Sequence, residues 1–325
     1  MTAAKDFAPW QQRAYAHAAA ALDGGRLGHA LLVCGPDQLG KRAVVERLAR
    51  RALCRTPDAD GEPCGRCRSC ELFAAGTHPD YELVSFVMNK EGTRLRTEIV
   101  IDQMRALSAR FALTAQYGGA QVVVVDPADA VNHHAFNALL KTLEEPQPGR
   151  YLWLVSTEPA RLPATIRSRC QKLEFRLPPR DEALAWLRDR GHADRSAVEA
   201  LDAARGHPGL ADAWLRDGGL ELRRSVADDL ARLARGDASP AETAQRWAAD
   251  EEAALRLRFA ADHALAQASG LTDARRTRTL ATWFDAANRT RALLRTTIRS
   301  DLAIAELLLS WQAQAAAKPG AAQRT

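Results

Sequence analysis

Gly35-Pro36-Asp37-Gln38-Leu39-Gly40-Lys41-Arg42 is the stretch on which the fold turns. Gly35, Gly40 and Lys41 match a phosphate-binding loop, in which backbone N–H groups and the lysine hold nucleotide phosphates. That motif ends on a Ser or Thr hydroxyl that ligates Mg²⁺, whereas Arg42 offers no hydroxyl and repels the metal. On one side Ala30-Leu31-Leu32-Val33-Cys34 is a short apolar run, and on the other Val44, Val45, Leu48, Ala49, Ala52 and Leu53 recur at helical spacing. Strand, loop and helix in that order are the setting the motif needs. The chain is therefore expected to be α/β, on an ATPase frame whose own nucleotide site is degenerate.

Gln121-Val122-Val123-Val124-Val125-Asp126 is a continuous β-branched run, as expected of a strand covered on both faces of a parallel sheet. The four valines need no more than that reading. Asp126 stands where such ATPases place a Mg²⁺-associated carboxylate. The next position, often a Glu that polarises the attacking water, is Pro127, which can neither accept a proton nor orient water. Arg42 and Pro127 are independent gaps, and together they argue against ATP hydrolysis at the chain's own site. Asp129 is the nearby carboxylate that could stand in for the missing base.

Cys54, Cys64, Cys67 and Cys70 are spaced C-x9-C-x2-C-x2-C, so four of the six cysteines fall within seventeen positions. Such spacing lets four thiolates converge on one ion at about 2.3 Å, as structural zinc requires. Gly61, Pro63 and Gly65 supply the turns. Four thiolates close the coordination sphere, so zinc here would stabilise a loop and perform no chemistry. The first ten residues include Lys5 and Asp6 and no apolar signal core, and no later run approaches a membrane span. The expected compartment is the cytoplasm, where a reducing environment disfavours disulfides. Cys34, inside an apolar run, reads as a small buried hydrophobe.

Further along, a helix is expected to carry Ala135, Phe136, Leu139, Leu140 and Leu143, ending in Leu139-Leu140-Lys141-Thr142-Leu143-Glu144-Glu145-Pro146. A strand over residues 151–155 leads to Ser156-Thr157, and Pro163-Ala164-Thr165-Ile166-Arg167-Ser168-Arg169-Cys170 follows. The phosphate-loop remnant, the cysteine insertion, the 139–146 stretch and Ser168-Arg169-Cys170, in this order, resemble the bacterial clamp-loader subunits of the AAA+ superfamily. The resemblance spans residues 7–176. The two catalytic gaps resemble the delta-prime branch of that family, as distinct from its ATP-hydrolysing tau/gamma branch.

The resemblance implies an AAA+ P-loop domain with a parallel sheet over residues 1–176, carrying the zinc-binding insertion at 54–70. It also implies a small helical lid domain over 177–217 and an all-α collar domain over 218–314; residues 315–325 read as a disordered tail. It further implies a non-catalytic component of the DNA polymerase III holoenzyme at the replisome. That component assembles with tau/gamma and delta subunits and helps seat the sliding clamp on primed DNA, with no membrane involved. Arg169 is assigned as an arginine finger reaching a neighbouring subunit's ATP site, a task suited to a permanently charged planar fork. Arg167 is a nearby competitor, and Arg169 could instead pair with a local carboxylate such as Glu174. Thr157 falls where the family carries its first nucleotide-sensing residue, the plain alternative being a strand-end hydroxyl in a turn. The family's second sensor, an arginine after a Gly-Ser-like helix start, is replaced by Gly209 within Gly206-His207-Pro208-Gly209-Leu210.

Past Leu177-Pro178-Pro179 helical signals dominate. Leu184 with Leu187, and Val198 with Leu201, outline two short helices; Leu220, Val226, Leu230 and Leu233 outline a longer one stopping near Gly236. Ser239-Pro240-Ala241-Glu242 is a capping box with proline at the first helical position. Leu280, Trp283 and Phe284, then Leu302, Leu307, Leu308 and Trp311, mark two more helices. The 325 residues, 46% hydrophobic and 26% charged, have an ordinary globular composition with room for two or three domains. The formal charge of +5, with Arg275, Arg276, Arg278, Arg289, Arg291, Arg295 and Arg299 grouped late in the chain, allows contact with DNA phosphates. It suits a solvated face as well, and no aromatic residues interleave to make a stacking platform. Two other functions fit less of the sequence. An active motor of the tau/gamma type would use Lys41 and Asp126 with Asp129 as base, but Arg42 and Pro127 speak against it. A DNA-reading zinc module would have Arg66 and Arg68 and little else.

Overall fold

The two apolar runs are central strands of one sheet. Strands β1 (Ala30–Cys34), β2 (Tyr81–Val84), β3 (Gln121–Val125), β4 (Arg150–Ser156) and β5 (Gln171–Glu174) are all parallel, in the order β2-β3-β4-β1-β5. β1 and β3 are buried at every position, as expected for strands covered on both faces. The computed structural model describes residues 7–316 except 90, 118, 295 and 297. These residues divide into two compact units, one up to Asp212 and one from Ala213.

In the first unit the strands alternate their side chains between two cores. Leu31, Val33, Val122, Val124, Trp153 and Val155 face helices α1 (Pro9–Asp23) and α2 (Lys41–Leu53), meeting Trp10, Tyr15, Val44, Val45 and Leu48. The intervening residues Leu32, Val123, Val125, Leu152 and Leu154 face the other way. Helix α3 (Arg68–Ala74) carries the last cysteine of the insertion, and α4 (Ile101–Phe111) covers the second face with Met104, Leu107 and Phe111. Each such buried aliphatic or aromatic side chain contributes about 1.5–3 kcal/mol. Register lines up the strand ends: Val33 lies opposite Val155 and Leu173, and Val124 opposite Leu83 and Trp153. Gly35, Asp126 and Thr157, each the residue after a strand, therefore gather at the carboxyl edge, where parallel sheets bind ligands.

The single helix expected across Ala135 and Leu143 is two short ones, α5 (His133–Asn137) and α6 (Leu140–Glu144). The division falls at Ala138 and Leu139, where Ser108 Oγ from α4 donates to the Ala138 carbonyl at 3.1 Å. A short helix α7 (Ala164–Arg167) precedes β5. The remaining helices begin with α8 (Arg180–Asp189), α9 (Asp194–Ala203) and α10 (Pro208–Arg216), the last starting at the 206–210 segment.

The second unit is helical among its described residues: α11 (Gly219–Arg235), α12 (Pro240–Ala248), α13 (Ala253–Ser269), α14 (Ala274–Leu293) and α15 (Ser300–Ala316). Gly236 ends α11 in the left-handed conformation, and Ser239 Oγ accepts the Glu242 N–H at 3.4 Å to start α12. Indole N–H groups are satisfied within the bundle: Trp311 donates to the Leu230 carbonyl at 2.9 Å and Trp283 to the Leu307 carbonyl at 3.1 Å. The tail expected from 315 is helical through Ala316, and residues 317–325 lie outside the described residues. No described helix is long and apolar enough to cross a membrane.

Candidate functional site

The phosphate loop leaves β1 at Gly35 and turns into α2 at Gly40, whose φ of 77° is left-handed. Three parts of the first unit close on it. Gly35 is forced twice, by a φ of 137° and by the Phe175 carbonyl oxygen 2.1 Å from where a Cβ would stand. From α1, Trp10 Nε1 and Gln11 Nε2 both donate to the Leu39 carbonyl, at 3.1 and 3.0 Å. At the start of α10, Gly209 approaches Gln38 so closely that a Cβ would lie 1.9 Å from its carbonyl oxygen.

Inside this enclosure Lys41 is 5% exposed. Its Nζ donates to the loop's own carbonyls, to Gly35 at 2.9 Å and to Pro36 at 2.6 Å. Burial pushes the ammonium below its ordinary pKa, and Asp37, Asp126 and Asp129 oppose that shift. Arg42, at the position of the missing hydroxyl, pairs with Glu46 at 3.0 Å and sends Nη1 to within 3.7 Å of Asp126. A guanidinium thus faces the carboxylate that would otherwise serve a metal. Burial raises the Asp126 pKa, and Arg42 and Lys41 hold it back.

Asp129 is committed elsewhere. Ser156 Oγ donates to one of its oxygens, and Thr157 donates to the other through both N–H, at 2.7 Å, and Oγ1, at 2.8 Å. The carboxylate that could replace the missing base is therefore held by three hydrogen bonds at the end of β4. The Thr157 hydroxyl spends its proton on that same carboxylate.

Arg169 lies between α7 and β5. Its carboxylate partner is Glu144, at 2.6 Å from Nη2, while Nη1 donates to the Thr165 carbonyl at 2.9 Å. Glu174, the partner suggested by proximity in the chain, pairs with Arg176 at 2.7 Å instead. Arg167 has its Nε buried with no hydrogen-bond partner among the described residues. Of the late arginines, Arg299 pairs with Asp301 at 2.6 Å, and Arg295 falls outside the described residues.

The sulfurs of Cys54, Cys64, Cys67 and Cys70 all lie within 4.8 Å of one another. Cys54 stands 3.7 Å from Cys64 and 3.9 Å from Cys67. A tetrahedron with metal–sulfur bonds of about 2.3 Å has edges of about 3.8 Å, so these separations fit the donor set of a metal such as zinc. The Cys64 N–H donates to the Cys54 sulfur at 3.4 Å and the Cys67 N–H to the Cys64 sulfur at 3.3 Å, which stabilises thiolate. The Thr56 hydroxyl brings the Cys64 thiol down to about 6, whereas burial pushes Cys70 up to about 12. A cation bound among them would lower both.

One feature of this region has no signature in the motifs. Glu62, inside the cysteine insertion, accepts from Tyr15 Oη at 2.7 Å, Arg47 Nη2 at 2.5 Å and Arg51 Nη1 at 2.7 Å. Arg51 reaches on to Asp23 at 2.5 Å. Its side chain is 7% exposed, and desolvation opposes a pKa raised chiefly by Asp23. The only sequence signal for this network is a pair of arginines one helical turn apart on α2, which by itself reads as solvated surface.

Comparison with known proteins supplies an independent line. The family model described as DNA polymerase III, delta subunit, matches residues 10–179. DNA polymerase III subunit delta' of Pseudomonas aeruginosa is 39% identical over 246 residues, 74% of this chain and 71% of that protein. The Escherichia coli subunit delta' is 35% identical over 224 residues, 69% of this chain and 65% of that protein. The gamma/tau subunit of Mycobacterium tuberculosis is 36% identical over 172 residues, 52% of this chain and 28% of that protein. A gamma subunit-related protein of Thermotoga maritima superposes with a TM-score of 0.50 at 14% identity, covering 92% of this chain and 99% of that one. A likeness at that identity shows the fold, a parallel α/β sheet unit followed by helical parts.

Proposed function

The chain belongs to the family of DNA polymerase III delta-prime subunits, and on that footing we propose that it is a non-catalytic member of the clamp loader. The observation that carries the non-catalytic reading is the state of its nucleotide site. Lys41 is bonded to the Gly35 and Pro36 carbonyls, Arg42 faces Asp126, and Asp129 accepts from Ser156 and Thr157 on both of its oxygens. Each group that would bind phosphate, hold Mg²⁺ or activate water already has an internal partner. ATP with Mg²⁺ is therefore not hydrolysed at the site of Gly35, Gly40, Lys41, Asp126 and Thr157.

The chain's contribution to ATP chemistry is Arg169, the arginine finger supplied to an adjacent tau/gamma subunit. Its position supports the assignment: the neighbouring Cys170 is buried in the core, while the Arg169 side chain is 35% exposed. Developing phosphate charge would be met by a guanidinium that never loses its own. Residues 177–217 act as a lid and 218–314 as the collar that joins tau/gamma and delta subunits. The chain is the passive element against which ATP-driven neighbours move while the sliding clamp is loaded on primed DNA in the cytoplasm. Cys54, Cys64, Cys67 and Cys70 hold a structural zinc ion.

The test is ATP turnover by the purified chain alone, then in a loader reconstituted with tau/gamma, delta, clamp and primed DNA. Silence alone and stimulated turnover in the mixture, reduced at least roughly tenfold at the completed site by Arg169→Ala, is the expected result. Turnover by the chain alone that disappears with Lys41→Ala would replace this reading with that of a motor subunit.

A further inference from the structure

We infer that Glu144 is a positioning residue for Arg169, holding the guanidinium in the direction in which it meets a neighbouring subunit's nucleotide. The inference rests on the finger reading of Arg169. The two residues are 25 positions apart and come from different elements, Glu144 from the end of α6 and Arg169 from the turn after α7. Nη2 is held by Glu144 at 2.6 Å and Nη1 by the Thr165 carbonyl at 2.9 Å. A guanidinium has five N–H donors, so two anchors leave donors free to face outward.

A finger must reach phosphate in one geometry, and an arginine side chain left to itself samples many. Anchoring it from two directions before the nucleotide arrives removes that loss from the reaction step. Arg167, two positions away, has no such support, since its Nε is buried without a partner among the described residues. Glu144 is half-exposed, with 50% of its side chain accessible. An ion pair so placed contributes little to folding. Its removal should therefore leave the fold and the assembly intact and act on the finger's geometry alone.

The experiment compares loaders reconstituted with wild-type chain, Glu144→Ala, Glu144→Gln, Arg169→Ala and the Glu144→Ala/Arg169→Ala double variant. DNA-stimulated ATP turnover is measured over a range of ATP concentrations, with assembly checked by gel filtration. Glu144→Ala should lower kcat roughly three- to tenfold with KM nearly unchanged, because orientation is lost and binding is not. Glu144→Gln, which keeps an acceptor oxygen, should recover most of the loss. The double variant should be no slower than Arg169→Ala, the non-additivity expected when one residue acts through the other. Glu144→Ala turning over as fast as wild type or faster, or a double variant slower than Arg169→Ala, would overturn the positioning role while Arg169→Ala still shows the finger. Unchanged turnover in Arg169→Ala would remove the finger itself, and this inference with it.

Discussion

Gly209 lies against the carbonyl oxygen of Gln38, with only 1.9 Å between that oxygen and the place a Cβ would occupy. The start of α10 thus rests on the phosphate loop at a residue already in the left-handed region, Gln38 having a φ of 54°. Gly209→Ala should destabilise the first unit by about 1–3 kcal/mol, the usual cost of forcing extra volume into a closed contact. Denaturant unfolding measures this, and unchanged stability would show that the loop yields freely.

Asp126 makes a prediction about pH. Burial raises its pKa in the folded chain above the ordinary carboxylate value, so the fold favours the protonated form. The sign follows directly: this group costs stability at neutral pH, and the cost disappears as pH falls below the unfolded value. Asp126→Asn should raise Tm near pH 7 and leave it unchanged near pH 3. A lower Tm at pH 7 would mean that the Arg42 contact outweighs the burial.

The cysteine cluster predicts one zinc ion per chain by metal analysis of protein purified without chelator. Cys64→Ser should abolish it, since three thiolates no longer close the sphere. Strong chelation should lower Tm as well, because binding free energy at such a site is folding free energy. Full stability and full zinc content in Cys64→Ser would remove the tetrahedral assignment.

Glu62→Ala should cost about 2 kcal/mol, because it removes one acceptor shared by Arg47, Arg51 and Tyr15 and leaves the buried Arg51 with Asp23 and the Asp60 carbonyl alone. The loss should exceed that of Asp23→Ala, since the Asp23 side chain is 50% exposed. Urea unfolding of the two variants tests the order. Equal losses would show that Glu62 is no more than a surface charge.

Much of the fold was legible along the chain because it depends on short-range pattern. The valine run over 122–125 reads as a strand covered on both faces and is one, and the glycine spacing around Lys41 marks the loop between β1 and α2. The cysteine spacing predicted a cluster whose sulfurs do converge. The helix expected across Ala135 and Leu143 is two helices, and the Ala138 carbonyl at the break is bonded from outside by Ser108 of α4, a contact that no local pattern shows.

The site was legible in its residue types and not in its pairings. Local order alone determined that a hydroxyl is missing at Arg42 and a carboxylate at Pro127, since both are facts of composition at motif positions. Tertiary structure decided which groups satisfy one another: Arg169 takes Glu144 and passes over Glu174, Asp129 takes Thr157, and Glu62 takes Arg51. The reason is physical. Helix and strand periodicity come from neighbours a few residues apart. The partner of a charged side chain is set by how parallel strands and their crossovers bring distant segments together at one edge of the sheet.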